Sequence, residues 1–258
     1  MTDYGLVSII TPSYNSSQFI AETIQSIQAQ SYKNWELIIT DDCSTDNSCE
    51  IIESFIKKDS RIKLIKLDKN SGAGVARNTS IGASSGRYIA FCDSDDRWFP
   101  EKLQSQLNFM NAKKCDLSYS SYLLCNETDH IDGIVVGPKH VSLTSMMKDD
   151  KMGFLTVMYD VKKLGKIYLP KMRKRQDWAW KLMALKVCKV AYGMKEPLAI
   201  YRVRHDSISR NKKTLIKYNI AVYQEIFNWS YLKSLLFFLF CFLPSYFKKR
   251  LFLKWLNQ

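Results

Sequence analysis

Through its first half this chain alternates short apolar runs with segments whose apolar residues recur at helical spacing. Leu6–Ile10, LVSII, is a β-branched run that stops at Thr11-Pro12, as a buried strand does. Ser16–Gln30 places Phe19, Ile20, Thr23, Ile24 and Ile27 on one helical face. Trp35–Thr40 reads as a second strand and ends in Asp41-Asp42. Ser44–Lys57 opens with capping residues and continues as a helix. Arg61–Leu67 alternates like a half-exposed strand, Gly72–Ser84 reads as a small-residue helix, and Tyr88–Cys92 is again a strand. Glu101–Ala112 and Leu117–Leu124 add a helix and a strand. This β-α alternation predicts an α/β fold, with parallel strands and covering helices. Ligands of such sheets bind beyond the carboxyl ends of the strands. Three polar clusters fall there: Pro12–Asn15, Asp41-Asp42 and Asp93–Asp96.

Beyond residue 125 the pattern weakens. Asn126–Lys151 shows no clear period and carries turn signals such as Asp132-Gly133 and Gly137-Pro138, so it reads as a loop region. Phe154–Tyr159 reads as a strand. Gln176–Val187, with Trp178, Trp180, Leu182, Met183 and Leu185, reads as a helix, and a basic, aromatic tail begins at Asn211. Gly72-Ala73-Gly74 opens a helix after a strand, as a dinucleotide fingerprint does. That reading fails, because Arg77 occupies the third small position and this is not the first β-α turn. Arg77 reads better as an anion partner.

Charge divides the chain. Through Asp160 there are 16 Lys and Arg against 21 Asp and Glu; from Val161 onward there are 22 against 4. A basic half suits nucleic acid, an anionic membrane or phosphorylated substrates. No zinc-finger spacing or basic zipper is present, and the mixture of Trp, Phe and Leu with Lys and Arg near the C-terminus favours membrane over nucleic acid. The seven cysteines are scattered, with no C-x-x-C pair, and MTDYGLVSII lacks the regions of a signal peptide. Reduced thiols in a cytosolic protein are expected.

The stretch FCDSDDRW crowds Asp93, Asp95 and Asp96 into four positions, where like charges repel. Either a divalent cation gathers them, or they form a solvated turn before the next helix. Asp177, within KMRKRQDWAWK, is the sole acid between Val161 and Lys195. It can serve as a general base or cap the helix that follows it.

Together VSIITPSYN, ELIITDDCSTD, GVARNTSIGASSGRYIAFCDSDDRWFPEKL and RQDWAW resemble family 2 glycosyltransferases, from about Val7 to Lys212. The C-terminal YRVRHDSISRNK resembles bacterial members that build O-antigens, capsules and teichuronic acids. The resemblance implies a GT-A fold, with a mostly parallel central sheet flanked by helices. Residues 1–115 would be its nucleotide-sugar half, 116–212 its acceptor and catalytic half, and 213–258 a membrane-associating helical segment. It implies nucleotide contacts from Pro12, Tyr14 and Asn15, a uracil-reading carboxylate at Asp42 with Asp41, and Arg77 near the diphosphate. Asp93-Ser94-Asp95 matches the DxD motif, with Asp95, assisted by Asp93, on Mn²⁺ or Mg²⁺. Such hard ions take carboxylate oxygen and keep phosphate and water ligands. Asp96 is then a helix or turn cap. Asp177 matches the catalytic base of the inverting enzymes, a role suited by a somewhat raised pKa. The match departs at Tyr201–Ser209, where relatives carry a His at the position of Arg204. His205 stands one residue on, so Arg202 or Arg204 is the better diphosphate partner. His130 and His140 are expected to be solvated.

The apolar run Leu235–Leu243 falls short of the roughly 20 residues of a spanning helix. It reads as a monotopic anchor, with Lys248, Lys249, Arg250 and Lys254 on lipid phosphates, or as an ordinary buried C-terminal helix. The expected activity is inverting, metal-dependent transfer of a hexose, glucose or galactose, from a UDP-sugar. The acceptor is lipid-linked, such as GlcNAc-diphosphoundecaprenol, at the cytoplasmic face of a bacterial inner membrane. Two competing readings are a catalytically silent membrane scaffold and a nucleotidyltransferase. The second wants a Gly-rich, basic loop after the first strand, which TPSYNSSQ does not offer.

Overall fold

A computed structural model describes residues 2–204 and 212–247 of the chain. The N-terminal half is β1 (Val7–Ser13), α1 (Ile20–Gln28), β2 (Trp35–Asp41), α2 (Ser48–Ile56), β3 (Ile62–Lys66), α3 (Ala73–Ala83) and β4 (Tyr88–Phe91). β5 (Arg97–Trp98), α4 (Lys102–Lys113) and β6 (Leu117–Cys125) follow. The segment expected to be loop contains β7 (Ile131–Val135), β8 (His140–Ser142) and α5 (Leu143–Lys148). A 3-10 turn at Phe154–Thr156 leads to β9 (Met158–Asp160) and α6 (Val161–Leu164). Then come α7 (Gln176–Cys188), β10 (Val190–Arg202), α8 (Lys212–Phe227) and α9 (Tyr231–Phe237), which runs on through a π-turn to Phe247.

All ten strands join one sheet in the order β3-β2-β1-β4-β9-β6-β10-β5, with β7 on β6 and β8 on β10. β3, β2, β1 and β4 are parallel, as are β6 and β10. β9 is antiparallel to both β4 and β6. The expectation of a mostly parallel sheet therefore holds for the N-terminal half, and the C-terminal half is mixed. Phe154–Tyr159, expected as one strand, is half 3-10 turn, and only Met158 and Tyr159 of it belong to β9. β7 is too exposed to show alternation, with two of its five residues half-buried and none fully buried.

Strand alternation sorts the core into two layers. Val7, Ile9, Leu37, Ile39 and Ala90 face α1 and α4, meeting Ile20, Ile24, Ile27, Leu103 and Leu107. Ile10, Ile89 and Phe91 face the other way, toward Ile81 of α3 and Trp180 of α7. That second layer continues without a break into Tyr223 of α8 and Phe238 and Phe242 beyond α9. The described part of the tail thus packs one face on the domain, with Phe242 tilted against Trp178 at 5.4 Å.

Candidate active site

The polar strand ends converge on one cleft of about 1190 Å³. Pro12, Tyr14 and Asn15, after β1, line it, with Tyr14 half exposed. Asn15 adopts φ 46°, a left-handed conformation that asparagine tolerates. Its side-chain oxygen accepts from the Thr45 amide at 2.8 Å, and its own amide donates to Ser44 Oγ at 2.9 Å. The loops after β1 and β2 are thereby tied together. Asp42 also lines the cleft, its carboxylate accepting from the amides of Ser71 (2.6 Å) and Gly72 (2.7 Å). Gly72 sits at φ 91°, where a side chain would be strained, so this clasp fixes the entry to α3. Asp41, expected beside Asp42 on the base, lies outside the lining. As the last residue of β2, it turns its carboxylate to the following loop, where it accepts from the amide and hydroxyl of Ser44, at 2.8 and 2.6 Å.

The crowded acids after β4 are separated by three arginines. Arg77, buried on α3, donates to Asp93. Arg204 stands 3.5 Å from Asp95. Asp96 is fully buried and accepts from the Arg202 amide at 3.0 Å, while its carbonyl accepts from Thr23 Oγ1 at 2.8 Å. It is therefore no helix cap; it locks the end of β10 to the acidic turn. Arg202 is not available to a diphosphate either. Its buried guanidinium donates to Glu22 at 2.7 Å, Asp129 at 2.8 Å and the Asp95 carbonyl at 3.2 Å. Arg97 joins the same two acids, closing a network beneath the turn. Arg204 lines the cleft, as do Arg202, Ser94, Asp93 and Asp95. His205 lies outside the described residues. His130 and His140 are exposed, as expected.

These acids fit a divalent cation. Burial first, and then Asp93, push the Asp95 carboxyl above its ordinary value, with Arg204 opposing. One Asp96 carboxylate oxygen is buried without a hydrogen-bond partner. Added positive charge would relieve both. No group of three or more metal-ligating side chains exists among the described residues. Asp95 with Asp93 would hold the ion, leaving other positions to phosphate and water, the habit of Mg²⁺.

Asp177 faces the same cleft from the first turn of α7. That helix is fixed by two buried indoles: Trp178 donates to the Met146 carbonyl at 2.9 Å and Trp180 to the Ile167 carbonyl at 2.8 Å. Sequence reasoning missed the partners of Asp177. Lys181, one turn on and almost wholly buried, reaches Asp177 at 3.4 Å and both oxygens of Asp150 at 2.8 and 2.9 Å. The i, i+4 spacing of Asp177 and Lys181 on α7 was the signal that could have found it. Burial pushes the Asp177 carboxyl up, but Lys181, Arg175 and Arg77 hold it below its ordinary value. The expected raised pKa is thus not found. Asp150 moves the other way: burial raises it, with Asp177 adding and Lys181 opposing. Asp177 is left as an ionised, partly exposed carboxylate that can accept a proton from a hydroxyl in the cleft.

With this geometry in place, comparison with known proteins decides the family. The model of Glycosyl transferase family 2 matches residues 8–157. The chain belongs to that family. A relative from Bacillus subtilis, bearing the name teichuronic acid biosynthesis glycosyltransferase TuaG, is 43% identical over 89% of this chain and 91% of its own length. The Escherichia coli UDP-Glc:alpha-D-GlcNAc-diphosphoundecaprenol beta-1,3-glucosyltransferase WfgD is 38% identical over 82% of each chain. Among solved structures, S. aureus TarS 1-349 in complex with UDP-GlcNAc matches with a TM-score of 0.70. It is 20% identical, with 91% of this chain and 73% of that one covered. A mannosyltransferase from Pyrobaculum calidifontis, in complex with GDP-Man and Mn²⁺, matches at 0.63 and 14% identity over 89% and 66%. The fold is that of the GT-A glycosyltransferases, and the enzyme is a glycosyltransferase of polysaccharide biosynthesis.

Proposed function

We propose that this enzyme transfers a hexose from a UDP-sugar, with inversion, to a lipid-linked acceptor such as GlcNAc-diphosphoundecaprenol. Glucose is favoured over galactose, because WfgD, alike over most of both chains, is named for UDP-Glc and that acceptor. The observation that carries the reading is the meeting of Asp42, Asp95 and Asp177 in one cleft. Asp42 presents an acceptor-only group to the N–H of a uracil ring, and Arg77 and Arg204 supply positive charge beside a diphosphate. Asp95 and Asp93 would hold a divalent cation, which when bound would supply positive charge to stabilise the departing nucleotide. Asp177 takes the proton of the acceptor hydroxyl as that oxygen attacks the anomeric carbon on the face opposite UDP. Inversion follows from this single displacement, and the product is the β-linked hexoside.

The same reading places the enzyme on the cytoplasmic face of the bacterial inner membrane. No single helix among the described residues is long and apolar enough to cross a bilayer. Tyr231–Phe247 is apolar on both sides, however. Ser234, Phe238 and Phe242 are buried on the domain, while Leu232, Leu236, Leu239, Phe240 and Phe247 are exposed. An outward apolar stripe beside a strongly basic sequence suits an anionic bilayer surface.

The test offers UDP- and GDP-sugars, with Mn²⁺ or EDTA, and a synthetic α-GlcNAc-diphospho-lipid, following nucleotide release and acceptor mass. Metal-dependent UDP release with one hexose added in β-linkage supports the reading. Transfer from GDP-sugars alone, full activity in EDTA, or an α-linked product overturns the corresponding part.

A further inference from the structure

On the Asp177 side the cleft carries two arginines, Arg173 and Arg175, and Arg175 acts on its acids only at longer range than an ion pair. Arg77 and Arg204 are occupied by Asp93 and Asp95, and Lys181 by Asp150 and Asp177. Lys174, with its ammonium 6.0 Å from the Tyr218 ring, and its neighbours Arg173 and Arg175 line the cleft on the loop leading into α7. Neither Arg173 nor Arg175 makes an ion-pair contact among the described residues. Arg173 is exposed. Arg175 holds a left-handed backbone, φ 65°, and lies over Trp178 at 5.8 Å, with its Nε buried and without a hydrogen-bond partner. A guanidinium so held is a ready phosphate ligand, since its fork matches two phosphate oxygens. The same rim carries Ser245, on the helix whose outward face exposes Leu239, Phe240 and Phe247.

We infer that Arg173 and Arg175 form a second anion seat, distinct from the donor site, which holds the diphosphate of the acceptor. The polyprenyl chain then leaves past Ser245 across the apolar stripe. This inference rests on the lipid-linked acceptor reading and gives it a location. It explains why the base and the basic run adjoin. The sugar hydroxyl must reach Asp177, and the diphosphate, one sugar away, falls on the loop two and four residues before it. Fixing that group orients the hydroxyl for attack.

The test compares wild type, Arg173→Gln, the Arg173→Gln/Arg175→Gln pair and the corresponding Lys pair. Steady-state kinetics use an α-GlcNAc-diphospho-lipid and an α-GlcNAc-lipid ether without phosphate. Arg173→Gln should raise KM for the diphospho acceptor about tenfold, and the Gln pair more, with KM for the UDP-sugar and UDP affinity unchanged. The Lys pair should recover part of the KM loss, as charge without the fork allows and a purely structural role would not. The ether should be a poor acceptor for every variant alike. Unchanged KM for the diphospho acceptor in the Gln pair, or an ether used as well as the diphosphate by wild type, overturns the seat. Retention of farnesyl diphosphate by UDP-loaded protein in detergent micelles reads the seat without catalysis. If wild type transfers to neither acceptor, the function reading fails. Loss of farnesyl diphosphate in the Gln pair then still supports an anion seat, and equal retention excludes it.

Discussion

At the scale of single residues, the cleft is organised by which acid each cation holds. Asp177 is the proposed base: it is the more exposed acid of the Asp150–Lys181–Asp177 set, and the Lys181 ammonium favours its ionised form. Asp177→Asn should retain UDP binding by calorimetry and lower transfer by about 10²–10⁴-fold, the usual worth of a general base. Near-normal turnover would remove Asp177 from the mechanism. Lys181→Met withdraws the nearest positive charge, so the carboxyl pKa rises and the base protonates at higher pH. The acid limb of kcat/KM should therefore move upward relative to wild type, and Lys181→Arg should move it back; a stationary limb would show that Lys181 serves packing alone. Lys102 makes a separate test in the core. It is fully buried against Trp98 and Gln106, and burial pulls its pKa down to about 7 from 10.5. A lysine depressed on folding releases its proton in the native state first. Its contribution to stability therefore grows as pH rises from about 7 toward 10.5. In urea melts at pH 7 and 9, Lys102→Met should lose about 2 kcal/mol of the pH-dependent change relative to wild type, by the linkage slope.

At the scale of elements, the last strand and the acidic turn form one unit. β10 ends at Arg202, whose amide holds Asp96 and whose guanidinium holds Glu22 and Asp129. Removing the buried member of such a network leaves charges without partners. Arg202→Met should cost about 3 kcal/mol in chemical denaturation and weaken metal-dependent UDP binding, through a loosened Asp93–Asp95 turn. Stability loss with unchanged UDP affinity would separate the network from the site. The elements that place Asp42, Asp95 and Asp177 were legible because buried strands and two-sided helices leave strong periods in the sequence. β7 and β8 were not. β7 is an exposed strand, β8 is three residues long, and both are fixed by pairing with β6 and β10. Local pattern cannot show a partner that distant in sequence. The same limit hid Arg202, whose partners are 73 and 180 residues away. Asp41 was hard to place for another reason: two adjacent acids at a strand end read alike, and only the fold shows that Asp42 lines the cleft while Asp41 holds Ser44.

At the scale of the whole molecule, charge and apolar surface are divided between two working ends. Carboxylates gather where donor phosphate and metal are expected, and Arg173, Lys174 and Arg175 gather at the rim proposed for the acceptor. The helix from Tyr231 to Phe247 joins that rim to the second core layer. Its inner residues, Phe238 and Phe242, belong to the same layer as Trp178, the indole next to Asp177. Deleting the tail would therefore disturb the base as well as any membrane contact, and truncation cannot test the surface alone. Substitution of the outward stripe can. Leu236→Glu/Phe240→Glu replaces two exposed side chains and leaves the packed face untouched. The variant should keep its melting temperature within a few degrees and its affinity for UDP. It should lose at least about tenfold in sedimentation with vesicles containing anionic lipid, because roughly 1.5–3 kcal/mol of burial per large apolar side chain is replaced by charge repulsion. Turnover of acceptor embedded in vesicles should fall in step, while turnover of a short-chain soluble acceptor should not. Equal vesicle binding by wild type and variant would leave the stripe without a membrane role and return the acceptor to the cleft unaided.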